Sequence, residues 1–85
     1  MDLEEKNMPH ILVKLYPGRS EEQKAQLAEA IVEDVVEIAG CEEKSVSVAI
    51  EEVAPDNWAE EVYKPDILGN AEKLYKKPGY SLEEA

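Results

Sequence analysis

The side chains of this sequence do not form a recognisable catalytic set. There is one histidine, His10, and one cysteine, Cys41, so clustered His and Cys ligands for a metal are missing. No glycine-rich phosphate loop and no activated nucleophile can be found. The carboxylates are scattered, as on a solvated surface. We therefore predict no metal and no cofactor, and we interpret His10 as structural and Cys41 as incidental.

Charge and hydropathy exclude several classes of partner. The formal net charge of -11 would repel nucleic-acid phosphates, which require clustered Lys and Arg. A small anion is not excluded, because one well-placed arginine makes a local positive site. No apolar run approaches the roughly 20 residues that span a bilayer. The first residues, MDLEEKN, lack the features of a secretory signal, so we expect a cytoplasmic protein without membrane contacts.

Two strands and a helix are predicted to position any site. Residues 10–16, HILVKLY, alternate with the period of a strand, which Pro17 and Gly18 end. Ser20 and Gln23 have the spacing of a capping box, which predicts a helix start. Gly40 supplies a left-handed stop. The predicted apolar face of the helix contains Leu27, Ile31, Val35 and Ile38, flanked by Ala28 and Val32.

A second strand over residues 45–50, SVSVAI, completes a β-α-β unit with parallel strands. Two strands make a poor sheet, and a chain of 85 residues builds only a marginal core. Both arguments predict a second copy of the chain. The remaining segment is broken by prolines and glycines and is predicted to form short helices and turns. It contains Trp58 and three tyrosines, Tyr63, Tyr75 and Tyr80, which we expect to pack on the sheet or on the second copy.

Three stretches in this order resemble the 4-oxalocrotonate tautomerase family, in particular its longer members with phenylpyruvate-tautomerase activity. They are MPHILVKLYPGRSEEQKAQLAEAI, SVSVAIEEVAPDNW and YKKPGY. The resemblance extends from Met8 to about Leu82. It implies an α+β tautomerase-type β-α-β unit, with parallel strands, that dimerises into a four-stranded sheet. A homodimer is expected, with the hexamer of the shorter relatives as the alternative.

The resemblance also implies a site. Pro9 matches the family's amino-terminal proline, the general base and acid, whose amine an apolar pocket keeps neutral. Arg19 matches the arginine that holds the substrate carboxylate, and Trp58 the aromatic pocket wall. The archetypal enzyme has a second arginine where this chain has Ser47. A small 2-oxo monocarboxylate such as phenylpyruvate is therefore expected rather than a dicarboxylate.

Residues 1–7 are predicted to be a leader before a tautomerase-like domain, residues 8–85. With the leader and Met8 attached, the Pro9 nitrogen is an amide and cannot act as a base. One hypothesis is that translation starts at Met8 and that removal of this methionine exposes Pro9. The other hypothesis is that the leader is genuine and that the chain is a catalytically silent binding or structural protein. The leader would then fill the ancestral pocket or stabilise assembly. A third hypothesis is hydration of a small unsaturated acid, for which no water-activating group is identified.

Overall fold

The structure is a computed structural model that describes residues 8–82 of the chain. The predicted leader, residues 1–7, lies outside the described residues. Among residues 8–82, no helix is long and apolar enough to cross a membrane.

The described chain is built on a parallel β-α-β unit. The strands pair residue for residue, from His10 opposite Ser47 to Leu15 opposite Glu52. This arrangement confirms the predicted α+β class and the parallel strands. The elements of the unit are β1 (His10–Leu15), α1 (Glu21–Asp34) and β2 (Ser47–Glu52).

The predicted strand boundaries are partly wrong. The first strand ends at Leu15, one residue before the predicted end, and β2 starts at Ser47 rather than at residue 45. The reason for the later start is a short turn. The backbone N–H and the hydroxyl of Ser45 both donate to the carbonyl of Glu42, at 3.0 and 2.8 Å. Ser45 therefore completes a 3₁₀ turn and is not available for the sheet ladder.

The start of α1 confirms the capping box. The backbone N–H of Gln23 donates to the Ser20 hydroxyl at 3.1 Å, and the Ser20 N–H donates to the Gln23 side chain at 2.9 Å. Two otherwise unpaired donors of the first turn are satisfied reciprocally. Glu21 and Glu22 add negative charge where the helix dipole favours it.

The end of the helix differs from the prediction in one respect. Gly40 has a φ of 74° and ends the helix, as predicted. However, α1 continues after Asp34 as a π-helix, Val35–Gly40. Ile38, predicted on the covered face, is 83% exposed. A π-helix has more residues per turn than the 3.6 on which the prediction relied, so Ile38 is rotated off the apolar face.

The rest of the described chain consists of short helices and turns, as predicted. The longest is a π-helical segment, called α2 below, with Pro65 inside it. Proline has no N–H and its ring clashes with the preceding turn of an α-helix, so widened turns suit this position. The segments are Pro55–Asn57, Ala59–Ile67 (α2) and Leu68–Lys73.

The most buried side chains of the described chain follow β2 in the sequence. Among residues 8–82 the buried apolar residues are Val53, just after β2, with Val62 and Tyr63 of α2. The Val53 N–H donates to the Leu15 carbonyl at 2.9 Å, which joins the two strand ends. The β-α-β unit itself is only half-buried, and Leu12 in the middle of β1 is 50% exposed.

The capping box should contribute measurably to stability. We expect Ser20→Ala to lower the free energy of unfolding by about 1 kcal/mol, because the Gln23 N–H loses its acceptor. Ser20→Thr keeps the oxygen and should cost much less. Urea unfolding at one fixed protein concentration measures both. Equal destabilisation by the two variants would show that the cap contributes nothing.

Candidate active site

An open cavity of about 440 Å³ lies at the C-terminal edge of the two strands. Its walls come from the end of β1, the turn before α1, the residue before α2 and the C-terminal segment. Parallel strands deliver the residues that follow them to the same edge of a sheet, so the residues after β1 and after β2 meet here. The lining residues are Lys14, Leu15, Tyr16, Arg19, Trp58, Tyr80 and Leu82.

Arg19 gives this cavity its positive charge. It is the only arginine in the sequence, which has 20 acidic residues. Gly18 has a φ of 128°, a left-handed conformation that favours glycine, and turns the chain immediately before Arg19. Within residues 8–82, Arg19 forms no ion pair, whereas Lys14, Lys24 and Lys64 each contact a carboxylate. The guanidinium fork is therefore available to an anion from solution.

The second cation in the cavity wall is already neutralised. Lys14 donates to the Asp66 carboxylate at 2.6 Å and ties β1 to α2. This hydrogen bond raises the pKa of Lys14 above its ordinary value of 10.5. Lys14 therefore remains charged near neutral pH and is occupied by Asp66. Neither a free positive charge nor a general base can be assigned to it.

Aromatic side chains form another part of the cavity wall. The Tyr16 and Trp58 rings meet edge to face with centroids 5.0 Å apart. The Trp58 Nε1–H donates to the Tyr80 hydroxyl oxygen at 3.1 Å, and the Tyr80 ring packs against Tyr63 at 5.7 Å. Trp58 is thus held on two sides. It is also shared with a second open cavity of about 470 Å³, which Leu12, Val62 and Ile67 help to line.

Pro9 lies at the opposite end of β1. It is half-buried, and its carbonyl accepts a hydrogen bond from the Ser47 N–H at 3.2 Å. Beside it, His10 Nδ1 and Ser47 Oγ are 2.7 Å apart, which is a hydrogen-bonding distance. Strand residues rise about 3.3 Å each, so the length of β1 separates Pro9 from the Arg19 cavity by roughly 20 Å.

The structure therefore brings together two of the three predicted site residues. Arg19 and Trp58 line one cavity, and Pro9 of the same chain is not among its lining residues. Tyr16 and Tyr80 also line the cavity and were not predicted as site residues. Tyr80 directly follows the Pro78-Gly79 turn, and this position is the signal that the sequence offers. A sequence pattern does not show which cavity such a residue lines. Within the described range, no three His, Cys, Asp or Glu side chains could hold a metal ion.

Comparison with known proteins places this chain in a family. The family model described as "Tautomerase enzyme" matches residues 9–63. A probable tautomerase of Xylella fastidiosa is 42% identical over 73 residues, which are 86% of this chain and 89% of that protein. Tautomerase PptA of Pectobacterium carotovorum is 45% identical over 75 residues, 87% of this chain and 99% of that protein.

Solved structures agree with the sequence comparison. YwhB, a homologue of 4-oxalocrotonate tautomerase, is 42% identical with a TM-score of 0.55. The match covers 56% of this chain and 79% of the YwhB chain. TomN, a 4-oxalocrotonate tautomerase homologue of the tomaymycin biosynthetic pathway, is 38% identical with a TM-score of 0.57, covering 59% and 77%. The fold is thus that of a tautomerase-type β-α-β protein. The chain belongs to the 4-oxalocrotonate tautomerase family.

The Lys14–Asp66 pair predicts a pH dependence of stability. A raised lysine pKa stabilises the fold below the unfolded value of 10.5, and this stabilisation is lost as the pH rises through the higher folded value. We therefore expect Asp66→Asn to destabilise the protein near neutral pH and the difference from the parent chain to shrink at strongly alkaline pH. Urea unfolding at both pH values measures this.

Glu60→Gln is the matched control, because Glu60 forms an exposed pair with Lys64 on α2 at 2.6 Å. Exposed pairs contribute little, so this variant should unfold like the parent chain. A difference for Asp66→Asn that stays constant across the pH range would contradict the assignment to the lysine charge.

Proposed function

We propose that this protein is a keto-enol tautomerase for a small 2-oxo monocarboxylate such as phenylpyruvate and that it works without metal or organic cofactor. The main support is the Arg19 cavity, in which the only arginine of the sequence is free of carboxylate partners within the described chain and faces an aromatic wall. Such a cavity suits a ligand with one carboxylate and an apolar body. Phenylpyruvate has both.

Arg19 is proposed to hold the substrate carboxylate through two parallel N–H···O bonds. With Lys14 paired to Asp66, the cavity offers one uncommitted cation and suits one carboxylate. Ser47, in place of a second arginine, is neutral and bonded to His10. A dicarboxylate would leave its second charge without a partner, in a protein whose formal net charge is -11.

Pro9 is proposed to transfer the proton when it is the first residue. A neutral secondary amine would remove a proton from C3 of the keto acid, and the C–H electrons would form the C2=C3 bond as the 2-oxo oxygen becomes an enolate. The resulting ammonium would then give its proton to that oxygen, which completes the enol. Apolar surroundings would favour the neutral amine that the first step requires. The family match begins at Pro9, which agrees with an amino-terminal role.

A second copy of the chain is proposed to complete the site. Within the described chain, β1 pairs only with β2 and leaves its other edge open. Two β1 edges related by a two-fold axis in a shared sheet run antiparallel. Pro9 of one copy would then lie near the Arg19 cavity of the other copy, although Pro9 and Arg19 of one chain lie at opposite ends of β1. A homodimer is the smallest assembly that does this, and a hexamer of three such dimers is the alternative.

A second function is favoured by one observation. In the full chain Pro9 follows Met8, and an acylated proline nitrogen has no basic lone pair. A protein that keeps this arrangement would be a catalytically silent member of the family with a carboxylate-binding cavity. It would act as a binding or structural protein.

The state of the Pro9 nitrogen separates the two functions. We expect a chain that begins at Pro9 to tautomerise phenylpyruvate at least about a hundredfold faster than the full chain, since a positioned base contributes roughly 10²–10⁴. The assay follows the absorbance of the enol, and mass spectrometry establishes each amino terminus. A chain that retains only Met8 before Pro9 is the matched control and should be as slow as the full chain.

Equal rates in the free and acylated chains would refute the amine mechanism. Inactivity of both, with ligand binding intact, would favour the silent protein.

Substitution of Arg19 tests the carboxylate site. We expect Arg19→Gln to raise the Kd for phenylpyruvate about 10- to 100-fold, because a hydrogen bond to a charged group contributes about 1.5–3 kcal/mol. Arg19→Lys keeps the charge without the fork and should fall between. Isothermal titration calorimetry measures both.

Lys64→Gln is the control, since it makes the same change of net charge on an exposed side chain outside the cavity. Similar losses of affinity in the Arg19→Gln and Lys64→Gln variants would mean that overall charge, and not the Arg19 contact, governs binding.

A further inference from the structure

We propose that Tyr80 is a second ligand-binding residue, whose hydroxyl donates a hydrogen bond to the 2-oxo oxygen of the acid that Arg19 holds. This inference rests on the proposed function and adds a determinant of substrate specificity to it. Tyr80 comes from the C-terminal segment, well outside the residues that the family model matches, which end at 63.

The hydrogen-bond geometry leaves the Tyr80 hydroxyl hydrogen unused. The Trp58 Nε1–H donates to the Tyr80 oxygen at 3.1 Å, so the oxygen acts as the acceptor in this contact. A phenol also carries one hydrogen of its own to donate. Within residues 8–82, this hydrogen has no acceptor. Tyr80 is 46% exposed and lines the Arg19 cavity, where a ligand can reach it.

The ligand has one polar group that needs such a donor. Both oxygens of a carboxylate are used when it binds the Arg19 fork, and the 2-oxo oxygen is then the only remaining acceptor of phenylpyruvate. Among the other side-chain donors in the wall, the Trp58 N–H is committed to Tyr80, and Lys14 uses one of its N–H groups on Asp66. Leaving the 2-oxo oxygen unpaired in the cavity would cost free energy.

Tyr16 carries the only other hydroxyl in the cavity wall. Its contact with Trp58 is between ring edge and ring face, and its hydroxyl has no hydrogen bond within the described chain. The Tyr80 oxygen, in contrast, is fixed by the Trp58 N–H and by ring packing against Tyr63 at 5.7 Å. A donor held before the ligand arrives loses less conformational freedom on binding. Tyr80 is therefore the better placed of the two.

A hydrogen bond to this oxygen would also favour the reaction. Negative charge develops on the 2-oxo oxygen when C3 loses its proton, and a donor already in place stabilises that charge. Tyr80 would thus bind 2-oxo acids in preference to acids without the oxo group. It would also increase kcat in the chain that begins at Pro9.

The test compares two ligands that differ only at the 2-oxo group, phenylpyruvate and 3-phenylpropionate, on the full 85-residue chain. Binding does not require a free Pro9 amine. We expect Tyr80→Phe to raise the Kd for phenylpyruvate about five- to tenfold and that for 3-phenylpropionate less than twofold. Isothermal titration calorimetry gives both values, and the fluorescence of Trp58, the single tryptophan, reports that a ligand binds beside this residue. Tyr75→Phe is the matched control, because Tyr75 is fully exposed and does not line the cavity.

Three results would overturn the assignment of Tyr80. Equal weakening of both ligands would show that Tyr80 only positions Trp58. An unchanged Tyr80→Phe chain would remove any role for the hydroxyl. Loss of 2-oxo selectivity in Tyr16→Phe, and not in Tyr80→Phe, would assign the contact to Tyr16. If the parent chain binds neither ligand, the proposed function fails together with this inference, whereas the three results above leave the Arg19 site intact.

Discussion

Parallel pairing of β1 with β2 is the constraint on which the candidate site depends. Because α1 returns the chain to the starting edge of the sheet, both strands end on the same side. Arg19 follows β1 and Trp58 follows β2, so a cation and an aromatic wall meet although 38 residues separate them in the sequence. Because Pro9 precedes β1, it lies at the opposite edge of the sheet.

Charge and aromatic packing have separate roles in the cavity. The lysine in the wall is paired with Asp66, so the cavity keeps one uncommitted cation in a strongly acidic chain. The aromatic residues hold each other through an edge-to-face contact and a hydrogen bond, which keeps Trp58 in place without closing the cavity. This combination of one free charge and an apolar wall suits a small monocarboxylate.

The weak burial of the β-α-β unit bears on the proposed assembly. In the described chain the buried apolar side chains lie just after β2 and in α2, while Leu12 in β1 and Ile38 after α1 remain exposed. A unit with so little of its own core gains stability when a second copy covers the open surface. The proposed pairing of β1 edges would thus complete both the sheet and the proposed active site.

The sequence by itself determined the β-α-β order, the capping box at Ser20 and the stop at Gly40, because these follow from local periodicity and turn chemistry. It also made Arg19 and Trp58 candidates for the site, through their family-like spacing. It placed Ile38 wrongly, because a fixed period of 3.6 cannot anticipate a π-helix. Only the tertiary structure decided that Lys14 is occupied by Asp66, that Tyr80 joins Trp58 in the cavity wall and that Pro9 lies away from both. Each of these depends on contacts between residues far apart in the chain, which no local pattern encodes.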